Sequence, residues 1–119
     1  MKFIRSKDFE SNKPWGSLPI AMFDQTSVKL HWTDSPYKWH INDGQEVFAV
    51  MDGVVDMHYK IGNEIKVKTL HVGDIFYASE GTEHVAHPQV AKKGFSNRTA
   101  RFGLKSHRGK ARLMAWEFG

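Results

Sequence analysis

In this 119-residue chain the residues best placed to do chemistry together are His40, Asn42, Glu46 and His84. Within His40-Ile41-Asn42-Asp43-Gly44-Gln45-Glu46, His40 and Asn42 fall on one face of a strand, because side chains alternate with period two. A short turn through Asp43-Gly44 sets Glu46 at the start of the next strand, beside them. His84 arrives from a separate β-segment, behind the turn Glu80-Gly81-Thr82. Two imidazoles and one carboxylate from different strands can hold a divalent ion and leave coordination positions open. The plainer reading of the histidines is hydrogen bonding within a packed interior, but their shared register with Glu46 favours the metal. Glu46 alone would be an ordinary solvated charge, and Asn42 before Asp-Gly is equally ordinary turn chemistry.

Short strands must position these residues. Val28-Lys29-Leu30-His31-Trp32-Thr33 alternates apolar and polar side chains, as on a half-buried strand. The runs Val47 to Met51 and Val54 to Lys60 flank Asp52-Gly53, a sequence that predicts a hairpin turn. Ile61-Gly62-Asn63-Glu64 turns again, Ile65 to Lys68 alternates, and Gly73-Asp74 leads into Ile75 to Ala78. No helical period is visible up to Pro88. Strands at a spacing of roughly ten residues predict an all-β sandwich or barrel. Residues 1–25, broken by Pro14, Gly16 and Pro19, are expected to be an irregular N-terminal segment with Phe3, Ile4, Phe9 and Trp15 as apolar anchors. Residues 26–88 carry the barrel strands, 89–109 a basic loop, and 110–119 a last strand through Ala111 to Phe118, all in one domain.

The spacing resembles the two motifs of the cupin family. In the first, G-x5-H-x-H-x3-4-E-x6-G, the residues His40, Asn42, Glu46 and Gly53 fall in register; in the second, G-x5-P-x-G-x2-H-x3-N, so do Gly73, Gly81 and His84. The departures are Asp34 for the first Gly, Asn42 for the second His, Ser79 for the Pro and Pro88 for the Asn. The resemblance implies a jelly-roll β-barrel (a double-stranded β-helix), with 89–109 as an insertion. It implies metal ligation by His40, Glu46 and His84, with Asn42 in the fourth position. The cofactor would be a divalent ion such as Fe, Mn, Zn or Ni, with the amide shifting preference toward Mn or Fe. One carboxylate on a dication leaves a net positive site, which attracts a small anionic or carbonyl-bearing molecule. Small cupins commonly pair, and Tyr37, Trp39 and Ile41 are expected to face outward as an apolar patch, so a homodimer is expected. The competing arrangement covers that patch with the N-terminal anchors of the same chain.

Composition removes several other classes. Without cysteine there are no disulfides, thiol nucleophiles or thiolate metal sites. No apolar run approaches the ~20 residues of a membrane-spanning helix. Residues 1–20 carry Lys2, Arg5, Lys7, Asp8 and Glu10 with no apolar stretch between them, unlike a secretory signal. A cytoplasmic location is therefore expected. The net charge of +4 is uneven: residues 1–91 hold 9 Lys/Arg against 12 Asp/Glu, whereas 92–119 hold 8 against 1. The basic stretch from Lys92 to Arg112 carries no nucleic-acid motif, so it is expected to be a solvated loop and nucleic acid is not an expected partner.

Two functions follow: a metal-dependent oxygenase or isomerase acting on a carbonyl- or carboxylate-bearing molecule, or a non-catalytic barrel that binds a small ligand or metal. No separate general base stands out. His31 and His58 are expected on solvated faces, and His87 on the face opposite His84. Trp32, Phe48 and Trp116 are core residues first and pocket walls second.

Overall fold

The computed structural model describes residues 1–89 and 109–118. Among the described residues nine strands form two antiparallel sheets: β1 (Gly16–Phe23), β2 (Thr26–Thr33), β3 (His40–Ile41), β4 (Glu46–Asp52), β5 (Val55–Ile61), β6 (Glu64–Leu70), β7 (Ile75–Ala78), β8 (Glu83–Pro88) and β9 (Ala111–Phe118). One sheet has the order β1-β2-β9-β4-β7, the other β3-β8-β5-β6. The only helical element among the described residues is a 3₁₀ turn at Ser6–Asp8. No helix there is long and apolar enough to cross a membrane. The all-β jelly-roll expectation holds, except that among the described residues the sheets do not join into a closed barrel.

Strand parity sets the core. Phe48, Val50, Ala111, Leu113 and Ala115 from the five-stranded sheet meet Val55, Met57, Leu70 and Ala86 from the other. Burial of the larger of these side chains (Val, Leu, Phe, Met) contributes ~1.5–3 kcal/mol each, and this term holds the sheets together.

Three expectations change. Residues 16–23 of the segment expected to be irregular form β1. Pro19 is tolerated because β1 is an edge strand, and the pairing with β2 shifts between Pro19 and Ala21. Asp52-Gly53 is not a hairpin turn: β4 pairs with β7 and β9, while β5 pairs with β6 and β8 in the other sheet. The dipeptide carries the chain from one sheet to the other. Gly53 does so at φ +78°, where a Cβ would stand 2.3 Å from the Lys110 carbonyl oxygen.

Third, Arg112 is not solvated. Its side chain is 4% exposed, pairs with Asp52, and donates from Nε to the Phe9 carbonyl at 2.8 Å, which ties the N-terminal segment to β9. Most of the basic stretch, with His107, lies outside the described residues. Ala111 to Phe118 does return to the sheet, between β2 and β4.

The N-terminal anchors do not cover the patch around Trp39. Phe3 is 93% exposed, while Trp39 and Ile41 stay 42% and 57% exposed. His58 and His87 share the outer face of the four-stranded sheet, their ring centroids 4.1 Å apart.

Candidate metal centre

His40 and His84 are directly opposite one another in the β3–β8 pairing, so both imidazoles leave the same face of the four-stranded sheet. Glu46, first residue of β4, faces them from the five-stranded sheet. His84 Nε2 stands 3.5 Å and His40 Nε2 3.8 Å from Glu46 Oε1. One ligand atom from each of the three residues lies within 4.8 Å of the others.

The surroundings fix which atoms face inward. His40 Nδ1 lies 3.1 Å from the Lys38 carbonyl oxygen and His84 Nδ1 3.2 Å from that of Thr82. A carbonyl can only accept, so each Nδ1 donates and each Nε2 is the ring nitrogen that faces Glu46. His84 Nε2 and Glu46 Oε1 are buried without a hydrogen-bond partner. Burial, and then the neighbouring His40, lower the His84 pKa and keep the ring neutral. Burial, and then the Glu117 carboxylate, raise the Glu46 pKa from 4.5 to about 7, against a smaller opposing effect of His31. Once Glu46 ionises, three acceptors converge with no proton among them. A cation is the group that satisfies all three, and the donor set fits a divalent ion.

Asn42 is 5% exposed just beyond β3. Its Nδ2 donates to the carbonyls of Ala78 and Ser79 at 3.2 and 3.1 Å, and its Oδ1 is buried without a partner. The amide is therefore fixed in orientation, with an acceptor left over.

A cavity of about 250 Å³ adjoins the triad, lined by Trp15, Lys29, His31, Tyr37, His40, Glu46, Phe48, Ala86 and Glu117. Six of these were not anticipated from the sequence as pocket residues: Trp15, Lys29, His31, Tyr37, Ala86 and Glu117. In the β2–β9 register Lys29 pairs with Ala115 and His31 with Leu113, so both lie on the core side of the sheet. His31 is thus not on a solvated face. Val28 and Leu30, the apolar residues that drew attention to β2, are buried on its other face.

His31 Nε2 stands 3.7 Å from Glu117 Oε1. That partnership, followed by the charges of Lys29 and His40, lowers the Glu117 pKa despite burial. Tyr37 precedes β3, beyond the reach of its parity, and turns toward the cavity with its ring 5.2 Å from His40. Trp15 takes φ 59°, a region costing a bulky L-residue about 1–2 kcal/mol, and its indole Nε1 donates to the Ser35 carbonyl at 2.9 Å. Phe48 is a pocket wall, whereas Trp32 and Trp116 do not line this cavity.

No protein-family model and no curated protein matches the chain. Solved structures do. A cupin-2 domain protein from Shewanella frigidimarina is 23% identical, with a TM-score of 0.65 over 92% of this chain and 85% of that one. A cupin superfamily protein from Desulfitobacterium hafniense is 9% identical, with a TM-score of 0.67 over 95% and 85%. The fold is therefore that of the cupins. Hydroxypropylphosphonic acid epoxidase from S. wedmorenis, in complex with fosfomycin, is 18% identical, with a TM-score of 0.57 over 79% of this chain and 44% of that one. Co(II) HppE in complex with substrate matches at 16% identity and a TM-score of 0.56, over 79% and 45%. This cupin-fold chain has a His-His-Glu group able to hold a metal ion, beside a cavity of small-molecule size.

Proposed function

We propose that the chain binds one divalent metal ion through His40, Glu46 and His84, with Asn42 Oδ1 as fourth donor. Beside it the cavity takes a small carbonyl- or carboxylate-bearing molecule, on which the protein acts as an oxygenase or isomerase. The observation that carries this reading is the pair of buried, unpartnered acceptors Glu46 Oε1 and His84 Nε2, since such groups cost about 1–3 kcal/mol unless satisfied. When bound, the ion supplies Lewis acidity toward an oxygen of the ligand.

The protein's own residues do the rest. The Lys38 and Thr82 carbonyls hold the two imidazoles in their tautomer. Trp15, Tyr37 and Phe48 form the cavity's aromatic wall. The cupin-fold neighbour with a Co(II) form in complex with substrate supports this class of function.

The assembly proposed with it is a homodimer through the exposed Trp39 and Ile41. Elemental analysis after metal loading and dialysis tests the function. One tightly held divalent ion per chain, absent from His84→Ala, supports it; equal retention by both proteins contradicts it.

A further inference from the structure

We propose that Lys29 anchors the charged end of the ligand, and that the cavity is built for a small monoanionic carboxylate with an apolar body. This deepens the functional reading above and rests on it for the metal's charge. The first ground is position. Three residue rows cross the inner face of the five-stranded sheet at the cavity end: Ser27-Glu117-Glu46, Lys29-Ala115-Phe48 and His31-Leu113-Val50. Lys29 lies in the middle row, between the metal-directed Glu46 row and His31. Its row neighbour Ala115 is small, so nothing bulky separates the lysine stem from Phe48. Lys29 also lines a second cavity that meets the first at His40, Glu46 and Glu117.

The second ground is charge. Glu117 is engaged by His31 at 3.7 Å. Among the described residues, no carboxylate lies at ion-pair distance from the Lys29 ammonium. With a dication bound, Glu46 neutralises one of its two charges, and the Lys29 ammonium opposes the Glu117 carboxylate on the same wall, so the metal-bound site stays net positive and a monoanion offsets that charge. A neutral ligand would desolvate the ammonium without giving it a partner, which is costly.

The third ground is the wall. Trp15, Tyr37 and Phe48 offer apolar surface to the body of the ligand, while a carboxylate on Lys29 is held by a charge-assisted hydrogen bond.

Benzoate and its neutral isostere benzamide are the probes, titrated into ¹⁵N-labelled protein and followed by amide chemical shifts. Wild type, Lys29→Met and Lys29→Arg are compared, each metal-free and with Zn²⁺. In the Zn²⁺ form of wild type, benzoate is expected to bind about tenfold or more tightly than benzamide, the worth of one hydrogen bond to a charged group. The shifts should centre on residues 28–31 and 115–117. Lys29→Met should bring benzoate to the level of benzamide, and Lys29→Arg should restore most of the preference. Equal affinities in wild type, an unchanged preference in Lys29→Met, or no saturable benzoate binding to wild type would each overturn the proposal. The metal is read separately: Zn²⁺ should shift residues 40, 46 and 84 in all three proteins. If it does not, the metal reading fails, and the benzoate comparison on metal-free protein decides the role of Lys29.

Discussion

Glu46 and Glu117 sit directly opposite one another across β4 and β9, two carboxylates on the same wall of one cavity. They are held in different states. His31 and Lys29 keep Glu117 ionised, while burial and the Glu117 charge push Glu46 up to about 7. The carboxylate that faces the two imidazoles is thus the one that most needs a cation.

The ligand roles should separate in calorimetric titrations with Mn²⁺. His84→Ala removes a buried donor and should weaken binding by more than about a hundredfold, beyond the 10–100-fold typical of outer-shell changes. Asn42→Ala should cost only about tenfold, because an amide oxygen is a weaker donor. Equal losses would show that Asn42 ligates as strongly as the histidine.

The raised pKa of Glu46 has a definite sign in stability. Between pH 4.5 and about 7 the unfolded chain has lost this proton and the metal-free native state has kept it. The native state binds more protons there, so this group's contribution to stability falls as pH rises, and levels off above about pH 7. His84, with its lowered pKa, acts in the opposite sense below pH 6.5. Glu46→Gln isolates the first effect. In chelator, its urea-unfolding stability relative to wild type should grow from pH 4.5 to 7, by on the order of a few kcal/mol. In wild type, metal affinity should rise across the same window, as the competing proton leaves. A pH-independent difference between the two proteins would refute the assignment.

Much of this was legible in the sequence. The turn residues mark out β2, β4 to β8 and the return of β9, and the His40–Glu46–His84 register survives folding intact. What period two cannot say is which face of a strand looks inward. In β2 both faces are largely covered, so Val28 and Leu30 drew attention while Lys29 and His31 lined the cavity. The parity of Glu117 with Leu113 and Ala115 was the available signal for the fourth charged group on that wall. Asp52-Gly53 misled for a related reason: the local signal marks a reversal of the chain, and only long-range pairing decides whether it stays in one sheet. Pro19 obscured β1 because edge position is a property of the whole sheet.

Arg112 gives a test of the N-terminal segment. Arg112→Met deletes the contacts to Asp52 and the Phe9 carbonyl from a buried position and should cost about 3 kcal/mol, the low end for breaking a buried pair. Limited proteolysis should also cut within residues 1–15 faster than in wild type. A destabilised variant with unchanged cleavage there would mean that other contacts hold the segment.

The exposed Trp39 and Ile41 predict a homodimer by light scattering at micromolar concentration. Trp39→Lys should shift the mass toward the 13.7 kDa monomer without loss of metal binding. A wild-type mass already at 13.7 kDa would remove the interface.

The most direct measurement is anomalous diffraction from crystals of the Mn²⁺-loaded protein. One strong peak per chain is expected, with His40 Nε2, His84 Nε2 and a Glu46 carboxylate oxygen at about 2.0–2.3 Å, the range for nitrogen and oxygen ligands of transition metals. A peak elsewhere, or none beside these three side chains at saturating metal, would contradict the proposed metal site.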